Sequence, residues 1–198
     1  VAPLLAEAGE AVQAVMNSGD EVRGTLTLNV PGAVMVDILP PLVERFLREH
    51  PAVRMELVVD DRFVDAFAAG ADAGIRYGEA LARDMIAVPI GPATQEAALV
   101  AAPAYLDARG RPRSPEDLAG HDWIRARFAS GRLTGVELER DGETTVLDPE
   151  PRVVISAGST EAVVRAAVDG LGLLMIFRNW LDPALLGGAL EPVLREWW

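Results

Sequence analysis

The feature that most constrains this chain is an alternation of strand-like and helix-like patterns over its first hundred residues. Residues 25–30, 53–59 and 73–77 show the β-branched and alternating patterns of strands. Residues 37–49 place apolar side chains at helical spacing, and residues 61–70 predict a second, shorter helix. Helices that alternate with strands in this way predict a parallel sheet with helices on both faces.

The second half of the chain predicts a further α/β unit. Strands are predicted at 85–90, 96–102, 123–128, 152–156, 172–177 and 190–194, helices at 103–108, 159–168 and 180–186, a helix start at 114–117, and a hairpin at 135–147 that turns at Asp141-Gly142. The sequence therefore predicts two α/β lobes of similar size.

Composition excludes several classes of site. The 198 residues contain no cysteine, which rules out disulfides, thiolate metal sites and cysteine nucleophiles. The two histidines are separated by 70 residues, so a histidine-rich metal site is not expected, and no cofactor is indicated. All 18 basic residues are arginine, and the formal net charge of −12 opposes contact with a phosphate backbone. No apolar run approaches the length of about 20 residues that a membrane helix needs.

The start of the chain indicates a fragment of a longer protein. The first residue is Val1 rather than methionine, and no secretory signal pattern follows it. Residues 2–23 have roughly helical apolar spacing, which predicts a linker or dimerisation helix, or an amphipathic helix packed on the body.

Candidate catalytic groups have simpler structural interpretations. The acidic pairs Asp60-Asp61 and Glu116-Asp117 precede predicted helices, where carboxylates cap free amides. His50 ends a helix and His121 lies in a turn, so neither is expected to be catalytic. The glycine pair within residues 166–174 leads from a helix into a strand, the reverse of a dinucleotide-binding loop.

Polar and basic residues recur where predicted strands end. Arg76 closes the third strand, Arg127 nearly ends another, and Ser156 and Ser159 flank a helix start. The carboxyl ends of strands in open α/β sheets face the ligand crevice, and arginine there pairs well with carboxylate or phosphate. The set predicts a small-molecule site.

The order of several segments resembles the effector-binding domain of LysR-type transcriptional regulators. GTLTLNVPG (24–32) followed by LPPLVERFLREHPAVRMEL (39–57) is similar to the start of that domain, and ADAGIRYG (71–78) resembles its D-x-x-I-R-x-G strand. Later similarities lie at residues 99–124, 166–176 and 188–194.

This resemblance, which covers residues 24–198, implies a two-lobed α/β fold of the type 2 periplasmic-binding-protein-like class, with two crossover strands and the effector in the cleft. It implies that residues 1–23 are the end of a linker helix, that lobe I comprises residues 24–97 plus 176–198, and that lobe II comprises residues 98–175. It also implies an upstream winged helix-turn-helix domain that binds DNA, and a homodimer or homotetramer.

The resemblance further implies positions for effector binding. These are Gly32, Ala33 and Val34 in the loop after the first strand, Arg76, Gly78, Thr94, Gln95, Arg127, Phe128, Ser130, Ser156, Ser159 and Phe177. Many family members carry serine or threonine in the first loop, whereas this chain has no hydroxyl there. That departure indicates a more apolar ligand, or one held by backbone amides at a helix start.

The leading hypothesis is a small-molecule effector-sensing and oligomerisation domain of a bacterial LysR-type regulator, cytoplasmic and not an enzyme. The expected effector is an organic acid or an aromatic compound, with no membrane contact and with DNA bound only through the upstream domain. The alternatives are a periplasmic solute-binding protein of a transport system, an enzyme on the same scaffold, and an assembly domain without a ligand.

Overall fold

The structure, a computed structural model, contains two main β-sheets that we call the first and second sheet. It describes residues 22–60, 70–75, 88–91, 94–128 and 131–198. Outside these ranges lie nearly all of the predicted helices at 2–23 and 61–70, and the predicted site residues Arg76, Gly78 and Ser130.

The first sheet is parallel, with three strands in the order β2-β1-β3. Its strands are β1 (Gly24–Val30), β2 (Val53–Val59) and β3 (Ala73–Gly74), and helix α1 (Leu39–Glu49) joins β1 to β2. β1 and β2 pair along their whole length, from Gly24 opposite Val53 to Val30 opposite Val59. The predicted parallel pairing of these strands is confirmed.

Two prolines fix the beginning of α1. Pro40 and Pro41 lie in the first turn, where backbone N–H groups have no intrahelical acceptor, so the missing amide hydrogens of proline cost little. At the other end, the backbone N–H of His50 donates to the carbonyl oxygen of Phe46. The helix therefore begins at Leu39, two residues later than the predicted start.

The core beneath α1 reaches the loop that follows β1. That loop forms a short 3₁₀ helix (Gly32–Met35), and its Val34 packs with Val30 and Leu39 in one buried cluster. The carboxyl end of β1 is thus held in place by apolar packing.

The second half of the chain builds the second sheet and a separate hairpin. In chain order its elements are β4 (Ala97–Ala101), α2 (Pro103–Arg109), a 3₁₀ helix (Pro115–Gly120), β5 (Trp123–Arg127), β6 (Val136–Arg140), β7 (Glu143–Leu147), β8 (Val153–Ser156), α3 (Thr160–Val168), β9 (Leu173–Phe177), α4 (Arg178–Leu186), β10 (Glu191–Pro192) and a final 3₁₀ helix (Arg195–Trp197). The second sheet has the order β10-β4-β9-β5-β8. β4 runs antiparallel to β9 and β10, whereas β5 runs parallel to β8 and β9.

Buried side chains cover both faces of the second sheet. On one face Val163 of α3 and Leu181 of α4 share a core cluster with Leu174 of β9. On the other, Leu106 of α2 and Leu138 of the hairpin share a cluster with other sheet residues. The second sheet is thus the middle layer of its lobe.

The hairpin forms as predicted. β6 and β7 pair antiparallel across Asp141-Gly142, and both turn residues have positive φ (55° and 83°). Positive φ at both central positions matches the twist of the flanking strands, and Asp-Gly tolerates it well.

Gly172 allows the close entry into β9. A Cβ at this position would lie 2.4 Å from the backbone oxygen of Asp122, and φ is 153°. The N–H of Leu173 donates to that same oxygen at 2.8 Å. The predicted helix stop and tight strand entry are confirmed here.

Two of the predicted strands differ from the structure. Residues 88–90 of the predicted strand at 85–90 are not in a strand, and Pro89 has no amide hydrogen with which to pair. The last strand covers only Glu191–Pro192 because Leu194 turns the chain with φ of 49°. Ser159 stands at the N-cap of α3, but its side chain makes no capping hydrogen bond.

Residues 176–198 contact the second sheet. β9 continues directly into α4, whose Trp180 and Leu181 complete the same core cluster as α3. β10 then pairs with β4 at the edge of that sheet. A helix that follows a strand without a linker folds back onto the same sheet to bury its apolar side.

Acidic residues near α2 have structural roles, as predicted for Asp117. The Oδ2 atom of Asp117 accepts hydrogen bonds from the backbone N–H groups of Arg113 and Ser114, which caps the 3₁₀ helix that follows. The Nδ1 atom of His121 lies 3.2 Å from the hydroxyl oxygen of Tyr105.

In the described part of the chain, no helix is long and apolar enough to cross a membrane.

Candidate functional site

The two sheets meet where the 3₁₀ helix after β1 faces the start of α3. A Cβ on Gly32 would lie 2.9 Å from the carbonyl oxygen of Gly158, so only glycine permits this approach. Next to it, Ala33 is buried in the core of the second sheet, together with Ala157. We call this contact region the seam.

A hydrogen bond crosses the seam at its edge. The Nδ2 atom of Asn179, in α4, donates to the Oδ2 atom of Asp37 at 2.8 Å. Both side chains are solvent-accessible, so the bond is easily exchanged for water. The seam therefore combines one tight backbone contact with a weak polar link.

A polar opening of about 430 Å³ lies at the seam. Its lining residues are Gly32, Met35, Val36, Gly158, Ser159, Thr160, Glu161 and Ala162. The first-turn amides of α3 point out of the helix without an intrahelical partner, which suits a carboxylate or phosphate oxygen. Glu161 stands in the same turn and opposes a strongly charged anion.

An apolar cavity of about 120 Å³ adjoins the polar opening. Its lining residues are Ala97, Phe128, Thr134, Gly135, Ala157, Met175, Ile176, Phe177 and Trp180. The rings of Phe177 and Trp180 pack edge to face, with centroids 5.4 Å apart. Phe128 is 42% exposed and stands at the mouth. Ala157 in the cavity and Gly158 in the opening are consecutive, so the two spaces are neighbours.

Arg125 holds one wall of the apolar cavity. It is 5% exposed, and its Nε and Nη2 atoms donate to the carbonyl oxygen of Thr134 at 3.1 and 2.7 Å. Its Nη1 atom donates to Asp148 and to the carbonyl of Pro149, at 2.6 and 3.2 Å. The guanidinium thereby joins β5, the cavity wall and the chain that follows β7.

The structure brings together four of the predicted site residues. Gly32 and Ser159 line the polar opening, and Phe128 and Phe177 line the apolar cavity. Ala33 is close to both but is buried in the core.

Other predicted residues line neither space. Val34 packs in the core of the first sheet because the 3₁₀ turn points it away from the seam. Arg127 is exposed, and its Nη1 atom donates to the carbonyl of Gly131 at 3.0 Å. Ser156 and Thr94 are exposed, and Gln95 is partly buried, with an Oε1 atom that has no hydrogen-bond partner among the described residues.

Sequence reasoning missed the residues that shape the apolar cavity. Trp180 lies three residues beyond β9, in a segment whose sequence predicted a helix but no part in a ligand site. Arg125 stands between two buried residues in the strand WIRAR, and an arginine at such a position is rarely buried without partners. That pattern is the sequence signal that could have identified Arg125 as a structural or functional residue.

The described residues contain no group of three or more histidine, aspartate or glutamate side chains placed to hold a metal ion.

Comparison with known proteins identifies relatives of the whole chain. A sequence profile described as the LysR substrate binding domain matches residues 19–197. A transcriptional regulator of Pseudomonas aeruginosa is 33% identical over 179 residues, which cover 90% of this chain and 58% of the relative. The HTH-type transcriptional regulator YcaN of Escherichia coli is 30% identical over 197 residues, which cover 98% of this chain and 63% of the relative. The chain thus spans less than two thirds of these relatives.

Solved structures agree on the fold. The full-length structure of AphB, the virulence activator of Vibrio cholerae and a member of the LTTR protein family, matches with a TM-score of 0.77 at 24% identity. The match covers 99% of this chain and 65% of AphB. The fold is the two-lobed, periplasmic-binding-protein-like one. On the profile and the sequence relatives, the chain belongs to the family of LysR substrate-binding domains, the effector-sensing part of LysR-type transcriptional regulators.

Proposed function

We propose that this chain senses a small-molecule effector and supports oligomerisation in a bacterial, cytoplasmic LysR-type regulator. One observation carries the proposal: the polar opening is lined by Gly32, Met35 and Val36 from the first sheet's side and by the start of α3 from the second. A ligand in the opening touches both sides of the seam. Its binding is therefore sensitive to how the two sheets are arranged.

The lobes of the proposed sensor follow the two sheets. Lobe I would comprise residues 24–97 plus 176–198, and lobe II residues 98–175. Residues 1–23 would be the end of the linker helix. DNA binding is assigned to an upstream winged helix-turn-helix domain, because a net charge of −12 repels phosphate. The proposed assembly is a homodimer or homotetramer.

The proposed mechanism changes the seam. A ligand shifts the arrangement of two lobes only by the difference between its affinities for the two arrangements. The approach of Gly32 to Gly158 and the hydrogen bond from Asn179 to Asp37 are the contacts that such a shift would alter. Their change would alter the spacing of the DNA-binding domains in the oligomer.

The proposed effector site comprises the polar opening and the apolar cavity. Gly32, Ser159, Phe128 and Phe177 are its lining residues among the predicted positions. The remaining predicted positions stay predictions for the ligand-bound protein: Ala33, Val34, Arg76, Gly78, Thr94, Gln95, Arg127, Ser130 and Ser156.

Thermal unfolding of the chain against small carboxylates, aromatics and phosphates tests this function. A ligand at a hundred times its dissociation constant adds about 2.7 kcal/mol of stability, which raises the midpoint by several degrees. Loss of the response in Ser159→Ala assigns the ligand to the opening, and loss in Ala97→Leu assigns it to the cavity. Thr144→Ala, which removes an exposed hydroxyl in β7 that lines neither space, is the control.

The response of the panel also separates sensing from assembly alone. A shift confined to one chemical class, and sensitive to one of the two lining variants, supports sensing. An unchanged midpoint with every compound favours the alternative of an assembly domain without a ligand.

A further inference from the structure

We propose that the apolar cavity takes a short aliphatic group of about three or four carbons, and that the polar head of the same ligand lies in the neighbouring polar opening. This inference rests on the proposed sensing function and specifies the ligand of that site. It gives the effector a size and shape that exclude an aromatic ring from the cavity.

The volume of the cavity sets the size of the group. The cavity measures about 120 Å³, whereas an apolar cavity of about 150 Å³ holds benzene, which has six carbons. By the same proportion, the smaller space has room for roughly four carbons. An isopropyl or isobutyl group meets this limit, and a phenyl ring exceeds it.

The walls of the cavity favour an apolar group. Ala97, Met175, Ile176 and Phe177 are among the lining residues, and none of the lining residues in the described part of the chain is ionisable. Apolar cavities stay dry, so a group that enters does not have to displace strongly held water. Each carbon that moves from water into the cavity then adds about fourfold to the affinity.

The polar head of the ligand is better placed in the polar opening. A charged head buried in the cavity would lose its hydration, and no ionisable side chain among the described lining residues would compensate for that loss. The polar opening is lined by Ser159, Thr160 and Glu161, of which Ser159 and Glu161 are exposed. A head in the opening therefore keeps its contact with water and with polar side chains.

A single small molecule can occupy both spaces. Ala157 lines the cavity and Gly158 lines the opening, and the Cα atoms of consecutive residues are about 3.8 Å apart. A chain of three or four carbons covers that distance. Gly158 is also the residue that Gly32 approaches across the seam, so a ligand of this shape lies against the contact that a lobe shift would alter.

Three acids that differ only in the tail test the inference: acetate, 3-methylbutanoate and phenylacetate. NMR titration of the chain, labelled with ¹³C at its methionine methyl groups, gives a dissociation constant for each acid. 3-Methylbutanoate should bind at least about tenfold more tightly than acetate, because it buries three more carbons. It should also bind at least about fivefold more tightly than phenylacetate, whose ring is too large for the cavity. Acetamide and 3-methylbutanamide repeat the comparison of tails on an uncharged head.

The methionine signals also show where each part of the ligand binds. Met175 lines the cavity and Met35 lines the opening, whereas Met55 lies in β2 and lines neither space. 3-Methylbutanoate should shift the signals of Met175 and Met35 with a single dissociation constant. Acetate should shift the signal of Met35 alone, and Met55 is the control signal.

Filling the cavity should remove the preference for the tail. Ala97→Leu adds volume at a half-buried position of the cavity and should bring 3-methylbutanoate to within about twofold of acetate, with the affinity for acetate unchanged. The matched control, Ala104→Leu, adds the same volume at an exposed position of α2 that lines neither space and should leave the ratio unchanged. Circular dichroism shows whether each variant is folded, and the ratio measured on the unmodified chain tests the inference without any variant.

The outcomes separate this inference from the proposed function. The ligand class is overturned if the longer tail improves binding less than about fivefold on both heads, or if phenylacetate binds more tightly than 3-methylbutanoate. It is also overturned if the preference for the tail survives in a folded Ala97→Leu variant. A response to another class of compound in the thermal panel would then leave sensing intact. The sensing function itself fails only if the thermal panel, extended to these acids and amides, gives no response.

Discussion

Arg125→Met tests whether the buried guanidinium holds the cavity wall. Methionine keeps much of the side-chain volume but removes all four hydrogen bonds, to Thr134, Asp148 and Pro149. Hydrogen bonds from a charged donor contribute about 1.5–3 kcal/mol each, and a buried carbonyl left unpaired costs about 1–3 kcal/mol. The Thr134 carbonyl loses two donors at a residue that is nearly buried.

The expected loss is smaller than the sum of those bonds. Asp148 is 89% exposed and is rehydrated when its partner is removed, so no buried charge remains behind. Desolvation of the guanidinium in the native protein offsets part of the gain as well. We therefore expect the free energy of unfolding to fall by about 3 kcal/mol. For a chain of this length the midpoint of thermal unfolding falls by about 6–12 °C.

Urea unfolding followed by circular dichroism measures this loss, with two controls. Arg127→Met removes one hydrogen bond from an exposed arginine and should change stability by less than about 0.5 kcal/mol. Asp148→Asn keeps the carbonyl contacts of Arg125 and should cost at most about 1 kcal/mol. Stability of Arg125→Met within about 1 kcal/mol of the wild type would refute the wall-holding role. Equal effects of Arg125→Met and Asp148→Asn would attribute it to the ion pair instead.

Three further predictions concern the frame around the site. Gly172→Ala should lower the free energy of unfolding, measured by urea denaturation, by about 2 kcal/mol or more, because the added Cβ would lie 2.4 Å from the backbone oxygen of Asp122. The control Gly120→Ala should change it little, because a Cβ there has no neighbouring atom within 4 Å. Asp117→Ala should lower the free energy of unfolding by about 1 kcal/mol in the same assay, because the Asp117 side chain caps a helix start. Ser159→Ala should leave the free energy of unfolding unchanged, because the Ser159 side chain makes no capping hydrogen bond. Burial of the ring, and then the nearby charge of Arg109, lower the pKa of His121. The unfolded state therefore binds more protons than the native state as the pH falls towards the ordinary histidine pKa of about 6.5. The midpoint of thermal unfolding should accordingly decrease when the pH is lowered from about 7.5 to 5.5. His121→Gln should flatten that fall, and an equally steep fall in this variant would contradict the assignment.

Local patterns in the sequence were sufficient for most of the regular elements. β1, β2 and α1 follow from alternation, helical spacing and the position of Pro40 and Pro41. The hairpin follows from Asp141-Gly142, because this pair adopts positive φ with little strain. These features depend on neighbours in the chain, which a single sequence contains.

Features that depend on distant contacts were less predictable. The direction of Val34 is set by a 3₁₀ turn, which sequence spacing does not distinguish from an extended loop. The placement of residues 176–198 depends on which sheet α4 covers, and that is decided by packing. The wall held by Arg125 likewise depends on a contact between segments far apart in sequence, from Arg125 to Asp148.

A distance measurement across the seam tests the central claim most directly. The chain has no cysteine, so Glu56→Cys in β2 and Glu143→Cys in the hairpin introduce a unique pair for spin labels. Double electron–electron resonance, with and without a compound that raises the thermal midpoint, reports the arrangement of the two sheets. We predict a shift in the inter-label distance of at least about 2 Å on binding. An unchanged distribution with the compound bound would contradict the claim that the seam couples ligand binding to lobe arrangement.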